Sequence, residues 1–393
     1  MGKDIRELRG DYLIALINKY GWKKGVELGV WYGQTFFRVL DACPGVSLIG
    51  VDIWIPGHVD NAGHHMNQKQ NREDVLSRVP AYGARAKILE MTTTEAAAKI
   101  RNGSLDFVFI DADHTVESFR EDVAKWLPKL KPAGWITGHD FLFPGINQGV
   151  KELLMPVNCP IKETDETFAR PLRIPREATT ICCLKQGKKY PSKYVNTLAN
   201  MVMRNVHLEP YDFVCFTDDA AGIDPWIRTA PLPFEAPGWW GKMGLYRKEI
   251  PGVHTKRILF LDLDVVLTGS LDPVLQLDSD FALIRDYPAD SREAKGGNGN
   301  DGNTSAVLLR VGSRAEIWAA YEKAGKPTVD DCGDQGWLNQ HFPRSFDLIP
   351  EALAQSYRLH NLDKRSPSGC SIVMFHGEPK PHECGGWVAE YWK

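Results

Sequence analysis

Val26-Glu-Leu-Gly-Val-Trp-Tyr-Gly33 reads as an apolar strand running into a glycine turn, followed by the helix-forming text Gln34-Thr-Phe-Phe-Arg-Val-Leu. Glycines at such a turn let a backbone approach closely, because there is no Cβ to clash. The next strand ends in Asp52, 23 residues after Gly29. A carboxylate at that place can accept hydrogen bonds from both hydroxyls of a ribose. A nicotinamide site would prefer the G-x-G-x-x-G spacing, which is absent here.

Outward from this turn, residues 1 to about 150 alternate strand-like and helix-like text, the mark of an α/β sheet. Strands are expected at Gly25–Leu28, Ser47–Val51, Ala86–Leu89, Leu105–Ile110 and Gly134–Thr137. Val116, Phe119, Val123, Trp126, Leu127 and Leu130 recur at helical spacing, and Lys131-Pro-Ala-Gly134 is expected to stop that helix. The strand at 105–110 delivers Asp111, Asp113 and His114, and the following one ends in Gly138-His139-Asp140. Ligand sites of open α/β sheets lie at such strand ends, so Asp111, His139 and Asp140 are expected to converge, with His114 nearby. Asp113 and Thr115 equally suit the cap of the next helix.

Prolines 156, 160, 171 and 175 punctuate a junction, and a second alternating series begins at Thr179. The expected domains are 1–176 and 177–393. Strands are expected at Thr179–Leu184, Phe213–Phe216, Ile258–Leu261, Phe281–Ile284, Ser305–Leu309 and Ile372–Phe375, with a loop at Gly296–Asn303. Arg257-Ile-Leu-Phe-Leu-Asp262-Leu-Asp264 ends an apolar strand in two carboxylates, hard oxygen ligands that suit Mg²⁺ or Mn²⁺. Trp239 and Trp240 are open between core packing and a platform for a sugar.

Totals narrow the field. A net charge of -3 gives no basic footprint for nucleic acid. The 8 cysteines show no C-x-x-C spacing, so reduced thiols and a cytoplasmic location are expected. No stretch approaches the roughly 20 apolar residues of a membrane span, and the N-terminal residues lack the apolar run of a signal peptide.

Through VELGVWYG, GVDIW, FIDADHT and ITGHDF, residues 10–150 resemble class I S-adenosylmethionine-dependent methyltransferases, most like the sugar and small-molecule O-methyltransferases. The resemblance implies a Rossmann-like sheet. It places Glu27, Gly29 and Gly33 on the methionine and ribose side of S-adenosylmethionine, Asp52 on the ribose, and Thr92 near the adenine. It also implies either a Mg²⁺ on Asp111, His139 and Asp140, or a metal-free base at His139 or His114.

The strand Phe260-Leu-Asp-Leu-Asp264 also resembles the nucleophile strand of haloacid-dehalogenase phosphatases, although Val265 stands where that family carries glycine. Its surroundings favour another family. Tyr211-Asp-Phe-Val-Cys-Phe-Thr-Asp218, Gly238-Trp-Trp-Gly-Lys242, Asn303-Thr-Ser, Asp334-Gln335 and Phe375-His376-Gly-Glu-Pro-Lys380 occur in the order of a GT-A-fold glycosyltransferase of the glycogenin and bacterial galactosyltransferase group. That resemblance spans 177–393. It implies a cation on Asp262, Asp264 and His376, and a nucleotide-diphospho-sugar donor held with Asp218, Lys242 and Lys380. Asn303, Asp334, Gln335 and, more weakly, Asp286 would face the transferred sugar. The expected protein is a bifunctional methyltransferase and glycosyltransferase acting on a saccharide or glycoconjugate acceptor; the alternative is a glycosyltransferase whose front half only positions the acceptor.

Overall fold

The computed structural model describes residues 10–55, 67–159, 166–174, 177–286, 301–328, 333–375 and 377–393. The chain divides into two compact units, Met1–Arg173 and Ile174–Lys393. Both are α/β, the first Rossmann-like, as the motifs imply.

The front sheet contains β1 (Lys24–Leu28), β2 (Ser47–Asp52), β3 (Ala86–Glu90), β4 (Leu105–Ile110), β5 (Leu130–Gly138) and β6 (Phe168–Pro171). Its order is β3-β2-β1-β4-β5-β6. All neighbours are parallel except β6, which runs antiparallel to β5. The chain moves outward from β1 to β3, then restarts at β4 on the other side of β1. Crossovers on the two sides diverge there and leave a crevice beyond the strand ends.

One boundary differs from expectation. The helix ends at Trp126, and Leu127–Lys129 form a short 3₁₀ turn. Leu130 begins β5 and pairs with Leu105. Lys131-Pro-Ala-Gly134 therefore lies inside a strand, and the stop comes earlier, at the turn carrying Pro128, because burying Leu130 in the sheet outweighs the helical spacing.

The rear unit contains β7 (Thr179–Lys185), β8 (Tyr211–Thr217), β9 (Arg228–Ala230), β10 (Arg257–Leu261), β11 (Val265–Leu267), β12 (Phe281–Arg285), β13 (Gly302–Arg310), β14 (Asp347–Leu348), β15 (Ala354–Ser356) and β16 (Ile372–Met374). The main sheet has the order β14-β12-β13-β10-β7-β8-β9, and β11-β16-β15 form a small second sheet. β7 lies between β8 and β10 and is parallel to both, so a second point of divergence falls between β7 and β10. β13 runs antiparallel to β10, which brings its first residues beside the end of β10. Gly302 and Asn303 belong to this strand rather than to the expected loop; residues 287–300 lie outside the described set. Apolar residues cover both faces of the main sheet, as a sheet packed on both sides requires.

Gly29 has φ 85°, and a Cβ on it would lie 2.0 Å from the Asp111 carbonyl oxygen. Gly103 also has a positive φ, 63°, but nothing lies within 4 Å of its Cβ position. Gly29→Ala is expected to cost clearly more than the ~1–2 kcal/mol that left-handed backbone alone costs an L-residue, whereas Gly103→Ala should stay within that range. Parallel denaturant melts of the two variants check this.

Candidate functional sites

In the front unit, β1 delivers buried Glu27 to the crevice and β2 delivers Asp52. The Asp52 carboxylate is already heavily used. Its Oδ2 accepts the Val30 and Trp31 backbone N–H groups at 2.9 and 2.7 Å, and its Oδ1 accepts that of Trp54 at 2.7 Å. Asp52 thus shapes the glycine turn itself, keeping limited acceptor capacity for a ligand. Gly33 serves the fold: a Cβ there would lie 2.6 Å from the Phe37 ring.

A cavity of about 870 Å³ opens at the crevice, lined by Glu27, Gly29, Asp52, Thr92, Asp111, His114 and Asp140, among others. Its other acidic lining residues are Asp113, Glu121 and Asp122, and among the described residues no lysine or arginine lines it. Gly33 and His139 are not among the lining residues. Thr92 caps the helix Thr93–Lys99 through a reciprocal pair with Glu95, so its hydroxyl is committed to that turn. Asp113 accepts the Thr115 N–H at 2.7 Å, and Thr115 caps the helix Val116–Trp126.

Asp111, His139 and Asp140 do converge: one ligand atom from each lies within 4.8 Å of the others. Asp140 sits between two imidazoles, with His114 Nε2 at 2.5 Å and His139 Nδ1 at 3.0 Å. Burial would raise its carboxyl, but hydrogen bonds from His114 and His139 outweigh that and hold it well below the usual carboxylate range. In return, the hydrogen bond to Asp140 raises His114 against the opposing effect of burial. Asp140 has φ 56°, an uncommon backbone region for a residue other than glycine and one that concentrates at functional sites.

Asp122 was not anticipated. It is buried on the helix Val116–Trp126 and lines the cavity. Burial pushes its carboxyl up to about 6, with a hydrogen bond to Thr93 opposing the shift. The signal lay in the helical pattern: Asp122 falls on the apolar stripe of Phe119, Val123 and Trp126.

In the rear unit, β10 ends at Leu261, and Asp262 and Asp264 lie just beyond. Lys242, on the 3₁₀ segment Gly238–Tyr246, places Nζ 3.0 Å from Asp262 Oδ1 and 3.3 Å from the Thr304 hydroxyl and carbonyl. Asp264 Oδ2 accepts from Lys380 Nζ and from the Tyr190 hydroxyl, each at 2.7 Å. Burial pushes Asp262 up to about 6 despite the neighbouring Lys242. Burial beside Asp264 also lifts the Tyr190 phenol far above its ordinary value.

Asp334, in the first turn of the helix Gly333–His341, is 3% exposed, and its Oδ2 has no hydrogen-bond partner among the described residues. Burial raises its carboxyl, while Lys242 and Thr304 act in the opposite sense. Gln335 follows it, half-buried. Asn303 is buried and accepts the Ser305 N–H at 2.8 Å, and Asp218 accepts the Gly187 N–H at 3.0 Å. Asp286 lies just past β12, its N–H bonded to the Asp301 carbonyl at 2.7 Å. His376 lies outside the described residues. Tyr190 and Thr304 were missed, since neither belongs to a charged motif; tertiary packing alone brings them to the aspartates.

A family model described as a methyltransferase domain matches residues 26–141. An uncharacterised curated protein, y4gI of Sinorhizobium fredii (strain NBRC 101917 / NGR234), is 27% identical over 135 residues. That match spans 33% of this chain and only 14% of y4gI. Among solved structures, the galactosyltransferase LgtC in complex with donor and acceptor sugar analogs aligns over 55% of this chain and 94% of its own, at 15% identity and a TM-score of 0.43. A Staphylococcus aureus protein provisionally assigned as a caffeoyl-CoA O-methyltransferase aligns over 43% of this chain and 82% of its own, at 14% identity and a TM-score of 0.31. Both transferase classes expected from the motifs thus occur among the similar proteins. Among the described residues, no helix is long and apolar enough to cross a membrane.

The raised Asp122 carboxyl gives a signed prediction. A folded acid titrating near 6 instead of 3.8 binds more protons than the unfolded chain in that interval. Its contribution to stability is therefore greatest at low pH and declines as pH rises through the interval. Asp122→Asn should stabilise the helix Val116–Trp126 above about pH 7, by at most about 3 kcal/mol, and give little advantage near pH 4. Hydrogen exchange of that helix at the two pH values checks the sign.

Proposed function

We propose that the chain is a bifunctional transferase. The front unit moves a methyl group from S-adenosylmethionine to a hydroxyl oxygen. The rear unit moves a glycosyl group from a nucleotide-diphospho-sugar to a saccharide or glycoconjugate acceptor. The observation that carries this reading is the opposite electrostatic character of the two sites. Among the described residues, the front cavity gathers carboxylates with no lysine or arginine in its lining, which suits a ligand bearing sulfonium and ammonium charges and disfavours one bearing phosphates. Its volume of about 870 Å³ lies within the range of small-molecule and cofactor sites. The rear site pairs a strand-end carboxylate couple with two lysines, which suits a diphosphate held jointly with a cation.

Both clusters fit a divalent ion. In the rear site, Asp262, Asp264 and Asp334 face the two ammonium groups of Lys242 and Lys380, leaving one negative charge uncompensated among these residues. Asp262 and Asp264 would hold Mn²⁺ or Mg²⁺, with His376 as the third protein ligand implied by its motif. A cation there would neutralise the diphosphate as the glycosidic bond to it breaks. Lys242 and Lys380 supply positive charge to the departing nucleoside diphosphate, and Asp334 and Gln335 orient the sugar.

In the front site, Asp111, His139 and Asp140 would hold Mg²⁺, which would acidify and orient an acceptor hydroxyl. Glu27 binds the amino-acid end of S-adenosylmethionine. Asp52 fixes the turn on which that ligand rests and offers its remaining acceptor capacity to the ribose. In the metal-free alternative, His114, paired with Asp140, takes the acceptor proton.

Two measurements test the reading. Calorimetry should show S-adenosylmethionine binding to the full chain and its loss in Glu27→Ala; no binding by the wild type removes the methyltransferase. A screen of nucleotide-sugars with Mn²⁺, scored by mass spectrometry for donor hydrolysis and glycosyl transfer, should find an active donor. With that donor, Asp264→Asn should lower turnover by about 100-fold or more. An unchanged rate removes the proposed cation site.

A further inference from the structure

Trp239 and Trp240 are adjacent in sequence but have separate fates. Trp240 is 3% exposed and stacks on Tyr321, with ring centroids 5.8 Å apart and planes 13° from parallel. Trp239 is 48% exposed, one of few large apolar side chains left in solvent among the described residues.

Its position is built rather than incidental. The indole lies so close to Gly333 that a Cβ there would fall 1.7 Å from Trp239 Nε1. Gly333 also has φ 59°, so a glycine both permits the turn and makes room for the ring. Gly333 directly precedes Asp334, whose Oδ2 is buried without a hydrogen-bond partner among the described residues. The ring also lies 5.9 Å from Lys189 Nζ, which stands 5.2 Å from the Tyr190 ring. Tyr190 in turn bonds Asp264. Trp239 therefore lies against the turn that leads into Asp334 and near the lysine that neighbours Tyr190, with part of its surface open to solvent.

We propose that Trp239 is the stacking platform for the acceptor saccharide of the rear unit, an inference that rests on the glycosyltransferase reading above. The axial C–H groups of a pyranose form an apolar, slightly positive face that complements the negative face of an indole. A ring pinned by backbone on one side loses little conformational freedom when a sugar settles on it. A nucleobase is the other flat ligand such a ring could take. The ends of β7 and β8, where Asp218 accepts the Gly187 N–H, offer the nucleoside another place. Trp239 instead stands beside Asp334, on the side of the transferred sugar.

Ligand-observed NMR with maltose, lactose and cellobiose, in the presence of uridine diphosphate or guanosine diphosphate and Mn²⁺, tests the assignment on the full chain. Wild type should bind at least one of the disaccharides. Trp239→Ala should weaken that binding by about tenfold or more, Trp239→Phe should recover most of it, and nucleotide affinity should stay within about twofold of wild type in both. Equal disaccharide binding by wild type and Trp239→Ala overturns the proposal, as does binding of none of the three by wild type. A loss of nucleotide affinity in Trp239→Ala overturns it in favour of base stacking. If wild type binds neither nucleotide, the glycosyltransferase reading itself fails, and the inference falls with it.

Discussion

Carboxylates gathered at the ends of strands have to be neutralised, because like charges a few ångströms apart in a poorly solvated crevice repel strongly. Both units answer this constraint, with different chemistry. In the front unit the answers are imidazoles and backbone N–H groups: Asp140 lies between His114 and His139, and Asp52 takes three main-chain donors. In the rear unit they are ammonium groups and a phenol: Lys242 on Asp262, and Lys380 and Tyr190 on Asp264. The choice of partner sets the character of each site. Imidazoles can give up a proton near neutral pH and backbone donors carry no net charge, so the front cavity stays acidic. Lysines stay charged and remain at hand for a phosphate.

The sheets supply the places where these charges meet. In each, the chain builds outward in one direction and then restarts on the other side of its first strand, at β4 beside β1 and at β10 beside β7. Gly29 shows how tight the front junction is, since the Asp111 carbonyl occupies the space its side chain would need. In the rear sheet the antiparallel course of β13 adds a second source of side chains, bringing Thr304 to the end of β10 and to Lys242. Burial opposes the charge on that lysine, but Asp262 and Asp334 outweigh it and keep the ammonium protonated although little of it is exposed.

Much of this was legible in the chain. Apolar runs ending in Asp52, Asp111 and Asp262 marked strands whose carboxyl ends carry function, and all three occupy such ends. Less legible was what each side chain does once there. Asp52 has the right place for a ribose, but most of its carboxylate is spent on the turn. Asp113 and Thr92 are bound to helix starts. Asp122 was hidden inside a helical stripe that otherwise reads as core. The strand at Leu130 was concealed by a helical period that ran past Pro128.

Local pattern alone determined two α/β units, the strands that carry acidic ends and the glycine turn after β1, because those features follow from residues a few positions apart whose periodicity and backbone freedom are fixed by covalent structure. Tertiary structure alone decided which carboxylates meet a cationic partner and which are spent on the backbone, and which of two neighbouring tryptophans reaches water. Tyr190, Asp264 and Lys380 are far apart along the chain and come within 2.7 Å contacts only when three separate segments pack together. No local rule can encode that, since the energy of a buried charge depends on everything folded around it.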